Sequence, residues 1–291
     1  MGAGRGRTGG GGLSSRVVTF SIVARQGTAF GVAVASKFLS VGALVPAAEV
    51  GVGALATQAW ANLAYRPQGL AMLRSGVSAG EAVAALLAAD ERRAHRQVGV
   101  VGPDGRAETY TGEECLPWAG GLAGDGYAVQ GNILTGPEVV RDMADAWLSS
   151  AGLPLADRLV AALAAGDAAG GDARGRQSAG LYVVDPGRGV GGWGDLAYDL
   201  RVDDHPDPVA ELRRLLAVHE VLHGTPDPAE LLPVEGELAE EIGRLLAVLG
   251  YDSLDRWAGV ENLEGRLVEG KADPLVLAHL RTTAEARRAA G

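Results

Sequence analysis

The chain contains few cysteine, lysine and aromatic residues, and it lacks a long apolar run. Cys115 is the only cysteine among 291 residues, which excludes an intrachain disulfide and a cysteine-based metal cluster. No apolar run approaches the ~18 residues that a membrane-spanning helix needs, and the N-terminus has no apolar segment of the kind found in secretory signals. We therefore expect a cytoplasmic protein with no membrane partner.

Lysine is also scarce, and the 36 acidic residues outnumber the 26 lysine and arginine residues. Lysine occurs only as Lys37 and Lys271, and the formal net charge is −10. An acidic chain repels phosphate backbones, so we expect no nucleic-acid partner. The composition is 47% hydrophobic with 44 glycines, which is typical of a globular protein. The length suffices for one large domain and a small one.

The most informative position is Thr19, which follows a Gly/Arg/Ser-rich run. Residues 1–18 cannot bury a core, and we expect a disordered extension there. A threonine at the head of the first strand is a candidate N-terminal nucleophile, whose hydroxyl attacks a carbonyl while its own α-amine, with a pKa of about 8, takes the proton. A free amine requires self-cleavage after Val18 or a translation start at Val18. The alternative is an ordinary strand threonine.

Short Val- and Ala-rich segments bounded by turn residues indicate strands, and longer periodic segments indicate helices. The predicted strands are Thr19–Ala24, Phe30–Ser36, Gly51–Gln58, Gln97–Val101, Ala107–Thr111 and Ala179–Val184. The predicted helices are Pro67–Ser75, Ser78–Ala89, Pro137–Ser149, Leu155–Ala165 and a helix from about Asp207 to His223. Ser78 with Glu81 forms a capping-box pattern, and Pro137 suits a first helical turn.

Strand blocks and helix blocks are segregated, which favours an α+β fold. Two packed sheets with helices outside would satisfy this order, and so would other α+β arrangements. The segment Thr225–Pro228 is a linker pattern. Beyond it, Val234–Leu249 and Asp273–Arg281 read as helices, so residues 235–283 are predicted to form a small all-α module.

Several blocks of sequence carry a family resemblance. They are Thr19–Arg25, Ala33–Lys37, Ala56–Asn62, Gly124–Asn132, Gly170–Asp172, Gln177–Ser178 and Leu200–Pro208. In these blocks the chain resembles domain-of-unknown-function family 1028. The resemblance implies the αββα four-layer sandwich of the N-terminal nucleophile hydrolases over residues 19–224, and it implies amide-bond hydrolysis without a cofactor or metal.

The C-terminal part is similar to a peptidoglycan-binding module. Three segments carry that similarity: Leu245–Tyr251, Asp255–Trp257 and Glu261–Asn262. We expect a homodimer whose partners are a small amide or peptide substrate and peptidoglycan fragments. A non-catalytic binding or assembly module that retains the fold is an alternative. In that case Trp257 and the segment Glu261–Glu269 could supply the ligand contact, or the tail could be a dimerisation or docking appendage.

Thr19, Lys37 and Asn132 are the candidate catalytic residues. Lys37 ends the second strand and could keep the amine neutral, although strand-end lysines are commonly solvated. Asn132 and Gln130 carry amide groups that could contact an oxyanion or substrate, or they could cap a turn in a Gly-rich loop.

The remaining candidates are substrate-binding residues that follow strands or lie in Gly-rich loops. With Gln130, they are Gln58, Trp60, Asn62, Asp125, Asp172, Arg174, Gln177 and Ser178. Arg174 could grip a carboxylate in bidentate fashion or pair with Asp172. Trp60 could line a pocket or pack in a core or interface.

A competing motif is His219-Glu220-Val-Leu-His223, which fits the H-E-x-x-H signature of zinc metallopeptidases. On a helix the two histidines share one face, and Glu220 could act as general base. The alternative is that both histidines continue the apolar stripe of Val209, Leu212 and Leu216 toward the helix end. The third ligand would have to come from Glu240 or Glu241.

Overall fold

The structure, a computed structural model, describes residues 19–289, so the extension expected at residues 1–18 lies outside the described residues. The strands are β1 (Phe20–Gln26), β2 (Ala29–Ser36), β3 (Pro46–Glu49), β4 (Gly53–Ala59), β5 (Arg96–Val101), β6 (Ala107–Thr111), β7 (Gly120–Gly124), β8 (Tyr127–Gly131), β9 (Ser178–Val184), β10 (Leu196–Val202), β11 (Leu232–Pro233) and β12 (Lys271–Ala272). The α-helices are α1 (Val41–Leu44), α2 (Tyr65–Arg74), α3 (Ala79–Ala88), α4 (Glu138–Ser149), α5 (Leu155–Ala168), α6 (Pro208–His223), α7 (Gly236–Leu249), α8 (Leu254–Glu261) and α9 (Pro274–Ala289).

The strands form antiparallel sheets in a mixed α/β fold. The larger sheet has six strands in the order β10-β9-β2-β1-β8-β7, and a second sheet has four in the order β3-β4-β5-β6. Strand β1 pairs with β2 on one side and with β8 on the other. The first strand of the chain therefore lies in the middle of the larger sheet.

Buried apolar side chains join the two sheets and the helices. Val23 and Val32 of the larger sheet share one cluster with Ala54 and Ala56 of β4. Leu55 lies between these two alanines and points to the opposite face, where it belongs to the cluster formed with α2 and α3. Helices α4 and α5 contact the larger sheet.

Local sequence signals placed several elements correctly. Gly27 lies in the turn that joins β1 to β2, and it has the positive φ of 60° that favours glycine. Ser78 forms the predicted capping box with Glu81 at the start of α3. Pro137 immediately precedes α4, and Gly250 ends α7 in the left-handed conformation.

Two compact units divide the described chain. The first contains the residues up to Pro186 together with Asp195–Leu212, and the second contains Gly187–Gly194 and the residues from Arg213 onward. Within residues 19–289, no helix combines the length and the apolar character needed to span a bilayer.

The second unit is helical, with a core that includes Trp257, Leu263 and Leu280. It is not purely α-helical, because β11 pairs with β12. These strands are two residues long, too short to leave a periodic pattern in the sequence. The buried Arg266 pairs with Asp273, with 2.7 Å between Nη2 and Oδ2.

Candidate functional site

Thr19 lies at an edge of the larger sheet where several strands end together. Phe20 of β1 is opposite Ala35 of β2 and opposite Gly131 of β8. Because antiparallel neighbours run in opposite directions, the start of β1, the end of β2 and the end of β8 meet at the same edge. This places Thr19 beside Ser36 and Asn132.

Groups from both sheets hold the main chain of Thr19. Its carbonyl oxygen accepts hydrogen bonds from the Asn132 backbone N–H at 3.1 Å and from Gln58 Nε2, in the four-stranded sheet, at 3.2 Å. Thr19 is fully buried in the chain. The position of this residue is thus fixed before any ligand arrives.

A buried network of amide side chains lies behind Thr19. The Ser21 hydroxyl donates to Gln58 Oε1 at 2.6 Å, and Gln130 Nε2 donates to Ser21 Oγ at 2.7 Å. Gln58 Nε2 and Asn132 Nδ2 both donate to Gln97 Oε1, each at 2.8 Å. These polar groups are buried, and the hydrogen bonds offset the cost of removing them from water.

Gln97 is a network member that the sequence analysis did not identify. It lies on β5, and its side chain is fully buried. The signal was a lone amide within the apolar segment Arg96–Val101, because a buried polar side chain inside a strand needs partners. The identity of those partners depends on cross-sheet contacts that the sequence does not reveal.

Gln58 and Gln130 lie inside the network rather than on a cavity wall. Both side chains are fully buried, and Gln130 Nε2 is directed at the Ser21 hydroxyl and carbonyl oxygen. The structure therefore gives them a role in holding Thr19 and Ser21 in place. Direct contact of Gln58 or Gln130 with substrate stays a prediction.

A small cavity of about 20 Å³ adjoins Asn132. It is lined by Ala59, Trp60, His95, Glu114, Cys115, Leu116, Asn132 and Ile133. Ala59 and Ile133 have positive φ values of 64° and 48°, which are strained for residues with a side chain, especially a β-branched one. Strain of this kind is concentrated at functional sites in proteins, and here it directly follows Gln58 and Asn132.

Trp60 lines the small cavity and is held from outside by cationic groups. Arg92 lies 5.1 Å and Arg96 lies 5.9 Å from the centre of the Trp60 ring. His95 contacts the same ring edge-on, with 5.0 Å between ring centres. The indole is therefore a fixed wall of this cavity.

Asn62 faces Asp90 instead of the small cavity. Its Nδ2 donates to Asp90 Oδ2 at 3.1 Å, and Arg96 Nε donates to the same oxygen at 2.8 Å. Burial opposes ionisation of Asp90, but the hydrogen bonds from Arg96, Arg92, Asn62 and Tyr65 outweigh it and hold the pKa of this carboxyl below its usual range. Asn62 thus stabilises the ion pair of Asp90 with Arg96, the arginine that lies over the Trp60 ring.

A larger cavity of about 350 Å³ lies beside Phe20. Its wall includes Ser36, Asp167, Asp172 and Arg176, and the last residue pairs with Asp167 at 2.7 Å. Phe20 approaches α5, so the alternation of a strand turns the neighbouring Thr19 side chain toward the other face, on which Ser21 meets Gln58. The two cavities therefore lie on different faces of β1.

Lys37 is anchored on the side of the larger cavity. Its backbone N–H donates to Asp172 Oδ2 at 2.8 Å, and its ammonium donates to the Arg176 carbonyl oxygen at 3.1 Å. Asp172 also pairs with Arg174, with 2.9 Å between the charged atoms. Of the two possibilities that the sequence left open for Arg174, the structure shows the pair with Asp172.

Ser178 and Gln177 fix the chain near the ends of β2 and β9. The Ser178 hydroxyl donates to the Phe38 carbonyl oxygen and accepts from the Val41 backbone N–H at 3.1 Å. The Gln177 backbone N–H donates to the Ser36 carbonyl oxygen at 3.1 Å. Both residues lie near Thr19 along this edge of the sheet, and their hydrogen bonds hold the main chain in place.

Asp125 is the candidate that the structure separates from the others. It lies in the turn between β7 and β8 and is exposed. Ala24, near the far end of β1, pairs with Tyr127, which follows this turn. At about 3.3 Å per strand residue, this arrangement puts Asp125 at the opposite end of β1 from Thr19, too far for a shared site.

The histidines of the H-E-x-x-H motif contact each other on α6. Their ring centres are 4.8 Å apart. Burial and the neighbouring His223 lower the pKa of His219. Within residues 19–289, no group of three histidine, cysteine, aspartate or glutamate side chains is arranged to hold a metal ion.

Trp257 is fully buried in the core of the second unit. The expectation that it supplies a ligand contact is therefore wrong. Its sequence position, next to polar residues, gave no indication that the indole side of α8 packs inward.

Comparisons with known proteins show the family of this chain. The crystal structure of protein SPO2555 from Silicibacter pomeroyi, described as DUF1028, is similar to this chain with a TM-score of 0.63 and 28% sequence identity, over 77% of this chain and 93% of that chain. A comparison with curated proteins finds no match. Residues 224–280 match a family described as "Putative peptidoglycan binding domain". Residues 19–212, more than half of the chain, match the "Family of unknown function (DUF1028)", and the chain belongs to that family.

Proposed function

We propose that the protein has the αββα four-layer sandwich of the N-terminal nucleophile hydrolases and hydrolyses a small amide or peptide. In this proposal residues 19–224 form the catalytic domain and residues 235–283 the C-terminal module. One observation carries the function: Thr19 opens the central strand at an edge where Gln58 and Asn132 fix its carbonyl oxygen. A nucleophile held in this way needs little reorganisation before attack.

In the proposed reaction, Thr19 Oγ attacks the substrate carbonyl while the α-amine of Thr19 takes the hydroxyl proton. The Oγ–C bond forms, the C–N bond breaks, and the amine passes the proton to the leaving nitrogen. Water then hydrolyses the ester and regenerates the threonine. The amine can accept a proton only when no residue is attached to it, so the active chain must begin at Thr19.

Lys37 is the cation that we assign to the electrostatics of this edge. It follows Ser36, the neighbour of Thr19 in the sheet, and its ammonium is held by the Arg176 carbonyl oxygen. A positive charge nearby favours the neutral form of the Thr19 amine. Lys37→Met is expected to raise the apparent pKa for activity, while Lys37→Arg retains the charge; equal pH profiles for both variants would remove Lys37 from the mechanism.

The decisive experiment compares three chains on a panel of small amides and peptides. One has an initiator methionine directly before Thr19, the second has a glycine inserted between them, and the third carries Thr19→Ala in the first background. N-terminal sequencing establishes where each purified chain begins. We expect turnover only from the chain that begins at Thr19. Equal turnover by the Thr19→Ala chain would overturn the proposal, and binding without turnover by all three would favour the non-catalytic module.

For the second unit we propose binding of peptidoglycan fragments, supported by the match of residues 224–280. Calorimetric titration of the full chain with muropeptides should give saturable binding, whereas chitin oligosaccharides, which lack the peptide stem, serve as the control. Absence of saturable binding to either would overturn this proposal. The homodimer and cytoplasmic residence also stay proposals, tested by light scattering and by cell fractionation.

A further inference from the structure

We propose that Gln97 fixes the direction of the Asn132 amide, so that Asn132 turns its carbonyl oxygen toward the small cavity and accepts a hydrogen bond from a neutral N–H donor, such as an amide. This inference deepens the proposed function, because it assigns a contact for an amide substrate. The direction of the amide itself does not depend on the chemistry of Thr19.

The first step concerns the direction of Gln97. Its Nε2 donates to the Gly131 carbonyl oxygen at 2.7 Å and to the Gly120 carbonyl oxygen at 3.2 Å. A backbone carbonyl can only accept hydrogen bonds, so the nitrogen end of the Gln97 amide must face these two atoms. The oxygen end, Oε1, must therefore face the opposite way.

The second step transfers this direction to Asn132. Gln97 Oε1 can only accept, and it lies 2.8 Å from the terminal amide of Asn132. The nitrogen of Asn132 must therefore face Gln97. A longer contact of 3.5 Å brings the same nitrogen to the Thr19 carbonyl oxygen, which is also an acceptor. Two acceptors thus fix the direction of Asn132 through hydrogen bonding alone.

The neighbouring amide agrees with this direction. Gln58 Nε2 also donates to Gln97 Oε1 at 2.8 Å and to the Thr19 carbonyl oxygen at 3.2 Å. Gln58 Oε1 then faces the Ser21 hydroxyl, which donates to it at 2.6 Å. Reversing Asn132 would set its oxygen against Gln97 Oε1, and reversing Gln97 would set that oxygen against two carbonyls.

The consequence concerns what the small cavity can bind. With the nitrogen directed inward, Asn132 Oδ1 is the atom left for the cavity that Asn132 lines. A cavity of about 20 Å³ holds roughly one water-sized group. An acceptor there favours an N–H group and disfavours an oxyanion, so in this proposal Asn132 contacts the substrate and does not donate to an oxyanion.

Charges around the cavity do not favour an ammonium over a neutral donor. Glu114 lines the cavity with His95 and Cys115, and burial raises the pKa of the Cys115 thiol. Arg92 and Arg96 lie against the Trp60 wall, Asp90 pairs with Arg96 and Glu114 lines the cavity, so charges of both signs surround the cavity and neither sign dominates. An amide N–H satisfies the acceptor without adding charge.

Asn132→Asp tests the direction through the pH dependence of stability. The new carboxylate would face Gln97 Oε1 without a proton between them, so its folded-state pKa is raised above the unfolded value of about 3.9. A carboxyl group whose pKa is raised in the folded state stabilises the fold at low pH. This contribution is lost as the pH rises through the folded-state pKa. The folding constant relative to wild type should fall roughly tenfold per pH unit between the two pKa values. His95, Glu114 and Cys115 line the same cavity and are common to both proteins, so their contributions cancel in this ratio.

Asn262→Asp is the matched control, because Asn262 is exposed and should give a ratio that does not vary with pH. A constant ratio for Asn132→Asp as well would overturn the proposed direction. Should that variant fail to fold, the wild-type chain answers the same question. It has three asparagines, and selective ¹⁵N labelling with Asn62→Ala and Asn262→Ala identifies the side-chain signal of Asn132. We expect strongly protected Asn132 amide protons; rapid exchange would overturn the proposal.

The ligand class is tested on the same labelled wild-type chain. N-methylacetamide, which has an N–H group, should shift the Asn132 signal in a saturable way. N,N-dimethylacetamide, which lacks one, and acetate should leave it unchanged. A larger shift with acetate, equal shifts with both amides, or no shift with any of the three would overturn the assignment. None of these measurements requires turnover, so their outcome is distinguishable from failure of the proposed hydrolysis.

Discussion

Gly99 leaves the space that the Gln130 side chain occupies: a Cβ built on Gly99 would lie 2.1 Å from Gln130 Oε1. Gly99 is two residues from Gln97 on β5, so the same strand supplies one amide to the network and makes room for another. The absence of a side chain is here a structural requirement of the amide network.

Gly99→Ala should destabilise the protein by about 1–3 kcal/mol, because the methyl group must displace Gln130 from its hydrogen bonds. Urea denaturation of Gly99→Ala, Gln130→Ala and the double variant measures the coupling. The cost of the alanine should shrink when Gln130 is already truncated. Gly152→Ala is the control, because Gly152 lies between α4 and α5 and its Cβ meets no atom within 4 Å. Additive effects of the two network substitutions would contradict the packing argument.

Asp90→Asn should cost about 3 kcal/mol at neutral pH, because it leaves the buried Arg96 without a charged partner. The pKa of Asp90 is lowered in the fold, so its contribution is present above the unfolded pKa of about 4 and is lost as pH falls. The difference from wild type should therefore narrow below about pH 4. Thermal unfolding at several pH values measures it.

Asp104→Asn is the matched control for this prediction. Asp104 pairs with Arg106 at 3.5 Å, and both side chains are exposed. Such surface pairs contribute about 0–1 kcal/mol, so little change is expected at any pH. An Asp90→Asn effect that stayed constant down to pH 3 would contradict the lowered pKa.

The pair of Arg266 and Asp273 should couple strongly in the second unit. Arg266 also donates to the carbonyl oxygens of Glu220 and Gly224 at 2.8 Å each, and Asp273 accepts from the Leu275 backbone N–H. Removing either partner should cost about 3–5 kcal/mol, because the other charge is left buried. The double replacement should cost much less than the sum.

Hydrogen exchange measures this coupling in the full chain. Amides of α7 to α9 should lose protection in Arg266→Met and in Asp273→Ala. Amides of β1 and β2, in the first unit, are the internal reference. Loss of protection that is additive in the double variant would show that the two charges do not depend on each other.

The sequence predicted the elements that carry a run of apolar residues and whose ends carry turn or cap residues. The hairpin of β1 and β2 and helix α3 are examples, because Gly27 and Ser78 act locally. Strand β7 was missed because Gly120–Gly124 carries almost no apolar side chains. Helix α9 extends to Ala289, beyond the predicted end at Arg281, because core contacts continue through Ala284.

The candidate site was predicted only in part, because some of its contacts depend on residues that are distant in the sequence. Register alone brings Thr19 and Asn132 to one edge, and both were identified from the sequence. The direction of the Asn132 amide depends on Gln97 in the other sheet, and the sequence contains no local signal for that contact. Asp125 and Asn132 lie at opposite ends of β8, because that strand separates them.

His219 should make the second unit sensitive to mild acid. Burial, with the charge of His223 adding to it, lowers the pKa of His219, so the folded unit favours neutral histidine. This contribution is complete above the unfolded pKa of about 6.5 and is lost as pH falls through the lower folded value. His219→Gln should remove the loss of stability between about pH 7 and pH 5, and His223→Gln should make that loss smaller.

Measuring Tm with and without added zinc also tests the metallopeptidase alternative. A zinc-dependent increase in Tm that His219→Gln abolishes would favour a metal site, and greater stability at pH 5 than at pH 7 would contradict the lowered pKa.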